Sequence, residues 1–205
     1  MSEFEEIPAS ASGVARRRPL FGIGMNDANY MVSQVIDGKR CVCPFYSTWR
    51  NMLERCYSDK FQERKSTYIG CSVAKEWLTF SVFRNWMNTQ NWKGNELDKD
   101  ILIAGNKIYS TQSCIFISSQ VNTLLNNCAA NRGEYPQGVD FHKREGKYRA
   151  RLRCHGKRKE LGYFTTPELA GAAYKIAKRK HIIEVAQTQE PRVKAGLLRH
   201  AELLK

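Results

Sequence analysis

The segment GKYRARLRCHGKRKELGYF, residues 146–164, alternates an arginine with an apolar or small residue from Tyr148 to Arg153. Successive side chains on a β-strand point to opposite faces, so Tyr148, Ala150 and Leu152 are expected to face a core while Arg149, Arg151 and Arg153 face outward. Guanidiniums two residues apart stand roughly 7 Å from one another, and such a row repels itself unless a polyanion lies against it. A disordered basic tail has no reason to alternate. The alternation therefore predicts a folded strand with a cationic front.

The charge of the whole chain points the same way. Its 205 residues carry a formal charge of +13. Residues 131–205 hold 18 Lys and Arg against 8 Asp and Glu, a net of +10, whereas residues 1–130 hold 15 against 12, a net of +3. The basic character belongs to the C-terminal part and favours an acidic partner. With 42% hydrophobic residues the chain can pack a core. No apolar run approaches a membrane span and the N-terminus has no apolar signal core, so a soluble, cytoplasmic protein is expected. Seven cysteines occur without any CxxC pair. Most are expected to be buried thiols, and a zinc site on Cys41 and Cys43 lacks the usual ligand spacing.

Along the chain, residues 1–20 are rich in Ser, Ala and Glu and end in Arg16–Arg18, which suggests a flexible arm. Two β-prone runs flank Asp37 and Gly38, a pair suited to a tight hairpin turn. A helix is expected after Pro44, with Trp49, Met52, Leu53 and Cys56 on one side, and a second from Val73 to Gln90. LDKDILIAGNKIYSTQSCIFISSQVN predicts a strand, a turn at Gly105 and Asn106, a second strand and a helix opened by Ser118 or Ser119. The polar, Gly- and Pro-containing AANRGEYPQG marks a boundary. Three short strands follow, near 138–142, 147–154 and 158–164. A helix capped by Thr166 with Pro167 at its first position comes next, its inner stripe expected from Leu169, Ala170, Ala173, Tyr174 and Ala177. A last amphipathic helix from Pro191 places Val193, Leu197, Ala201 and Leu204 on one side. It is expected to pack on its own chain or to dimerise.

In the C-terminal part, GVDFHKREGKYRARLRCHGKRKELGYFTTPELAGAAYKIAKRK resembles the Apetala-type (ethylene-response-factor-like) DNA-binding domain, which also occurs in phage proteins and mobile endonucleases. The resemblance rests on Gly138, Val139, Gly146–Tyr148, Ala150, Leu161, Gly162, Phe164 and Pro167–Tyr174. It implies a three-stranded antiparallel sheet backed by one helix, with the open face in the major groove of double-stranded DNA and no cofactor. By position, the DNA-binding residues would be His142, Arg144, Lys147, Arg149, Arg151, Arg153, Arg158 and Tyr163. Asp140 and Glu160 depart from that family's pattern, standing where an arginine and an aromatic are common.

Residues 45–126 are similar to a phage-encoded protein type classed with HNH endonucleases, on YSTWRNMLERCY, CSVAKEWLTFSVFRNW and the strand–turn–strand–helix segment. A working HNH finger uses a histidine base and one divalent ion. The resemblance implies Asp98 and Asp100 as catalytic candidates, Asp98 and Asn122 as metal ligands, Asn106 in the turn, and Mg²⁺ if the protein is a nuclease. The chain's four histidines, His142, His155, His181 and His200, all lie in the C-terminal part, and Lys99 stands where the base belongs. A protonated lysine is a poor base.

The expected fold is α+β with two small domains. The first is a helix-rich, ββα-containing HNH-like domain over 21–130. The second is a three-stranded antiparallel sheet packed on a helix over 131–187, followed by the amphipathic helix of 188–205. The expected function is phage-encoded DNA binding with an inactive nuclease-like N-terminal part. The alternatives are a metal-dependent nicking or homing-type endonuclease, and an interaction protein that inhibits a host enzyme by binding that host protein.

Overall fold

A computed structural model describes residues 4–125 and 133–204. The chain is a mixture of helices and small sheets, and it divides into two compact units, Met1–Ile117 and Ser118–Lys205. The sequence boundary expected at 130/131 lies outside the described residues.

In the first unit a short helix α1 (Ala11–Ala15) precedes a hairpin of β1 (Ser33–Ile36) and β2 (Lys39–Val42). Its turn is the expected Asp37–Gly38 pair, both at positive φ, as a two-residue hairpin turn matched to strand twist requires. Residues 4–20 are not the free arm their composition suggests. Pro8 bridges to Tyr30, and the Arg17 guanidinium donates to the carbonyls of Asn26, Ala28 and Tyr30. Three backbone acceptors converging on one cation tie the segment down.

Helix α2 (Pro44–Tyr57) follows as expected, buries Trp49, Met52, Leu53 and Cys56, and leads into α3 (Asp59–Arg64). Strand β3 (Ser72–Val73) and a 3₁₀ turn, Lys75–Leu78, precede α4 (Phe80–Asn88), so the single helix expected over 73–90 is broken at Thr79. A distant segment causes the break. The Met25 amide donates to the Leu78 carbonyl, the Phe80 amide donates to the Met25 carbonyl, and Asp27 Oδ1 accepts the Ser81 amide at 2.8 Å. Asp27 thus caps α4 from far along the chain, a role no local window can display. Trp49, Trp77, Phe80, Phe83 and Met87 fill the core, with Trp49 Nε1 donating to the Trp77 carbonyl at 2.7 Å.

Strands β4 (Glu96–Asp98), β5 (Ile108–Tyr109) and β6 (Ile115–Ile117) complete the unit. β4 pairs antiparallel with β6, while β5 pairs parallel with β3.

The second unit opens with α5 (Ser119–Leu125) and continues through β7 (Val139–His142), β8 (Lys147–Cys154) and β9 (Lys157–Phe164), an antiparallel sheet in that order. Helix α6 (Pro167–Ala186) lies against the sheet and α7 (Pro191–Glu202) against α6. Thr166 Oγ1 caps α6 by accepting the Leu169 amide. Ala150 and Leu152 are buried on the strand side, with Ala170 and Tyr174 on the helix side. Leu169, expected in the inner stripe, is half exposed instead, because it sits one residue off the face that Ala170 and Tyr174 define. On α7, Val193, Leu197 and Ala201 are buried within the chain.

Candidate nucleic-acid interface

Residues opposite one another across antiparallel strands share a face. Asp140 lies opposite Arg149, which lies opposite Tyr163; His142 lies opposite Lys147, Arg151 opposite Glu160, and Arg153 opposite Arg158. These nine side chains make the outward face, while Ala150 and Leu152 point the other way and are buried. Five are cations and two are carboxylates, leaving +3 with histidine neutral. A register shift between Ala150 and Arg151 leaves Leu161 out of the pairing and keeps the cationic positions of β8 and β9 on one side.

The arginine row is not bare. Asp140 sits between two of its members: Arg149 Nη2 is 2.8 Å from Oδ2 and Arg151 Nη2 is 2.8 Å from Oδ1. One carboxylate thus holds two guanidiniums by opposite oxygens. Glu160 stands 3.9 Å from Arg149 Nη1 and accepts the Tyr163 hydroxyl at 3.0 Å, and Tyr163 meets the His142 ring edge-on at 5.3 Å. Arg149 and Arg151 keep 20% and 35% of their side-chain surface in solvent. Solvent reaches both pairs and screens them, so a phosphate or base edge can compete for the same donors. Arg153, Arg158, Lys147 and Arg144 are exposed and, among the described residues, have no carboxylate within ion-pair distance.

Burial alone would push the Asp140 carboxyl up, but the hydrogen bond from Arg149 and the charges of Arg151 and Arg149 outweigh it and hold the group below the ordinary aspartate range. Because the folded value is depressed, the pairing stabilises the fold above the unfolded pKa of about 3.9 and is lost as pH falls through the lower folded value. Carboxyl-detected NMR titration should place the Asp140 midpoint below that of an unperturbed aspartate, and Arg149→Ala should move it upward. A midpoint unmoved by Arg149→Ala would mean that the pair does not persist in solution.

The candidates in the first unit are arranged differently. Asp98, at the end of β4, accepts the backbone amides of Asp100 at 2.9 Å and Ile101 at 2.7 Å on one oxygen. Burial raises its pKa against those two hydrogen bonds. Both oxygens of Asp100 meet Lys99 Nζ, at 2.7 and 2.8 Å, and that nitrogen also donates to the Asn106 carbonyl at 2.8 Å. Lys99 is only 6% exposed, held as a buried cation by these acceptors. The Asn106 amide closes the loop by donating to the carbonyls of Lys99 and Ile108. Asp98, Lys99, Asp100 and Asn106 thus hold one another in a turn. Neither aspartate belongs to a group of three His, Cys, Asp or Glu ligand atoms close enough to share an ion among the described residues. Asn122 lies on α5, in the second unit. The described cysteines are free thiols, and Cys43 lies buried against the Tyr30 hydroxyl. No helix among the described residues is long and apolar enough to cross a membrane.

The chain matches no protein-family model, no curated protein and no solved structure. Sequence reasoning placed Asp140 among departures from a pattern and missed its role as the link between two arginines. The signal was present, since an acidic residue three positions before a four-residue loop falls opposite an arginine three positions after it.

Proposed function

We propose that the protein binds double-stranded DNA through the β7–β8–β9 sheet, with the arginine face of β8 entering the major groove. The observation that carries this is the two-sidedness of the sheet: one face is closed by α6, and the other presents five cations against two carboxylates. A three-stranded sheet is narrow enough for that groove, where the edges of all four base pairs differ and arginine can hold guanine through two hydrogen bonds. In this arrangement Arg149 and Arg151, aligned by Asp140, supply base contacts. Lys147, Arg153, Arg158 and Arg144 neutralise phosphates, and His142 and Tyr163 border the strand. A-form RNA closes its major groove to side chains, so B-form DNA is the preferred duplex.

The first unit acts in this proposal as a nuclease-like scaffold that adds contacts or holds a host protein. It has no histidine to serve as base, and Asp98 and Asp100 are engaged in their own loop. Selection from random-sequence duplexes, run with and without Mg²⁺, is the test. Enrichment of a site, with log K falling against log salt at a slope between about −2.7 and −4.5 for three to five displaced counterions, is expected. A flat salt response overturns DNA binding. Truncated products that vanish in Asp98→Ala would overturn the inactive-scaffold assignment.

A further inference from the structure

On the opposite side of the sheet from the arginines, His155, His181 and Glu184 bring three ligand atoms within 4.8 Å of one another. His155 sits in the turn between β8 and β9, and the other two lie one helical turn apart on α6. The geometry points to a divalent transition-metal site, of the kind zinc occupies, that pins the β8–β9 turn to α6.

The spacing fits an ion better than it fits direct bonding. His155 Nε2 is 3.8 Å from Glu184 Oε1, and His181 Nδ1 is 3.8 Å from Oε2. Both separations are too long for hydrogen bonds. Two ligands at about 2.0–2.1 Å from a tetrahedral zinc stand about 3.4 Å apart, and the two gaps observed, which end on different oxygens of Glu184, are longer, so the side chains must draw together around an ion. The His181 side chain is 7% exposed, and its Nδ1 is enclosed without a hydrogen-bond partner although it faces the carboxylate. Burial and the neighbouring His155 lower the pKa of that imidazole against the pull of Glu184. The rings of His155 and His181 meet edge-on at 4.9 Å.

Two further observations support a ligand at this place. His155 has φ +49° and Gly156 φ +76°, the conformation of a two-residue hairpin turn whose first position ordinarily takes Asn, Asp or Gly. Histidine at that position brings its ring against that of His181 on α6. The donor set, two nitrogens and one carboxylate, suits zinc and not magnesium or calcium, which take oxygen ligands, and it leaves a fourth position for water. His155 and Glu184 are exposed and free to close the remaining gap, while Lys178, one turn before His181, is the nearby cation that disfavours an ion.

Titration of the full-length protein with zinc chloride, followed by calorimetry and by the visible spectrum of a cobalt(II) substitute, tests the site. One saturable ion per chain is expected, with a four-coordinate cobalt spectrum and a rise in thermal midpoint. His155→Asn suits the turn conformation better than histidine does and removes only the ligand. It should fold normally and weaken zinc binding by about 100-fold or more, and Glu184→Gln should weaken it as well. Absence of saturable binding overturns the site. So does binding that neither variant changes, which would place zinc elsewhere on the chain.

Discussion

Replacing Arg149 and Arg151 together by alanine is expected to weaken duplex binding by about 10²- to 10⁴-fold, each well-placed base contact being worth about 1–3 kcal/mol. The salt slope should become shallower by up to about 1.8 if both side chains displace counterions. Folding should be little affected. Both guanidiniums are partly exposed, so solvent screens their ion pairs. Asp140→Asn gives the opposite sign at the same place: it removes one of two carboxylates from the face, so it should tighten binding to random duplex and steepen the slope. The orientation of the two arginines is lost with it, so preference among sequences should fall. Electrophoretic mobility shifts at several salt concentrations measure all of these. Double-variant affinity within about threefold of the parent would mean that the arginines serve only their carboxylate and would sink the proposed interface.

Gly138→Ala is expected to destabilise the second unit by about 2–4 kcal/mol. Gly138 has φ +77°, which costs an alanine about 1–2 kcal/mol. An added Cβ would also stand 2.1 and 2.3 Å from Tyr174 Cδ2 and Cε2 and 2.7 Å from the Arg151 carbonyl. Tyr174 is buried, and the Arg151 amide is tied to the Gly138 carbonyl at 2.8 Å, so neither neighbour can retreat without opening the sheet. Gly146→Ala is the control. Its φ of +59° carries the backbone cost, but nothing lies within 4 Å of the added atom. Amide exchange over residues 139–164 should show protection lost in Gly138→Ala and largely kept in Gly146→Ala. Equal losses would refute the close approach of Tyr174.

Local signals reached some elements and not others. The Asp37–Gly38 hairpin, the helix behind Pro44 and the Thr166–Pro167 helix start were all legible, because turn chemistry and capping act within a few residues. The break at Thr79 was not, because Met25 and Asp27 impose it from more than fifty residues away. Lys99, which stands where the base belongs, is buried and paired with Asp100, and nothing local shows it. The histidine pair was invisible for the same reason: His155 and His181 lie 26 positions apart and meet only when the β8–β9 turn folds over α6.

The alternation of β8 determined by itself which side chains would close a core and which would face away, since the pleat repeats every two residues whatever surrounds it. Tertiary structure decided what those outward arginines touch. Strand register set Asp140 between two of them, and the packing of α6 gathered two imidazoles and a carboxylate behind the sheet. Such groupings depend on residues distant in the chain, whose approach is governed by the burial of apolar surface over the whole unit and not by any local pattern.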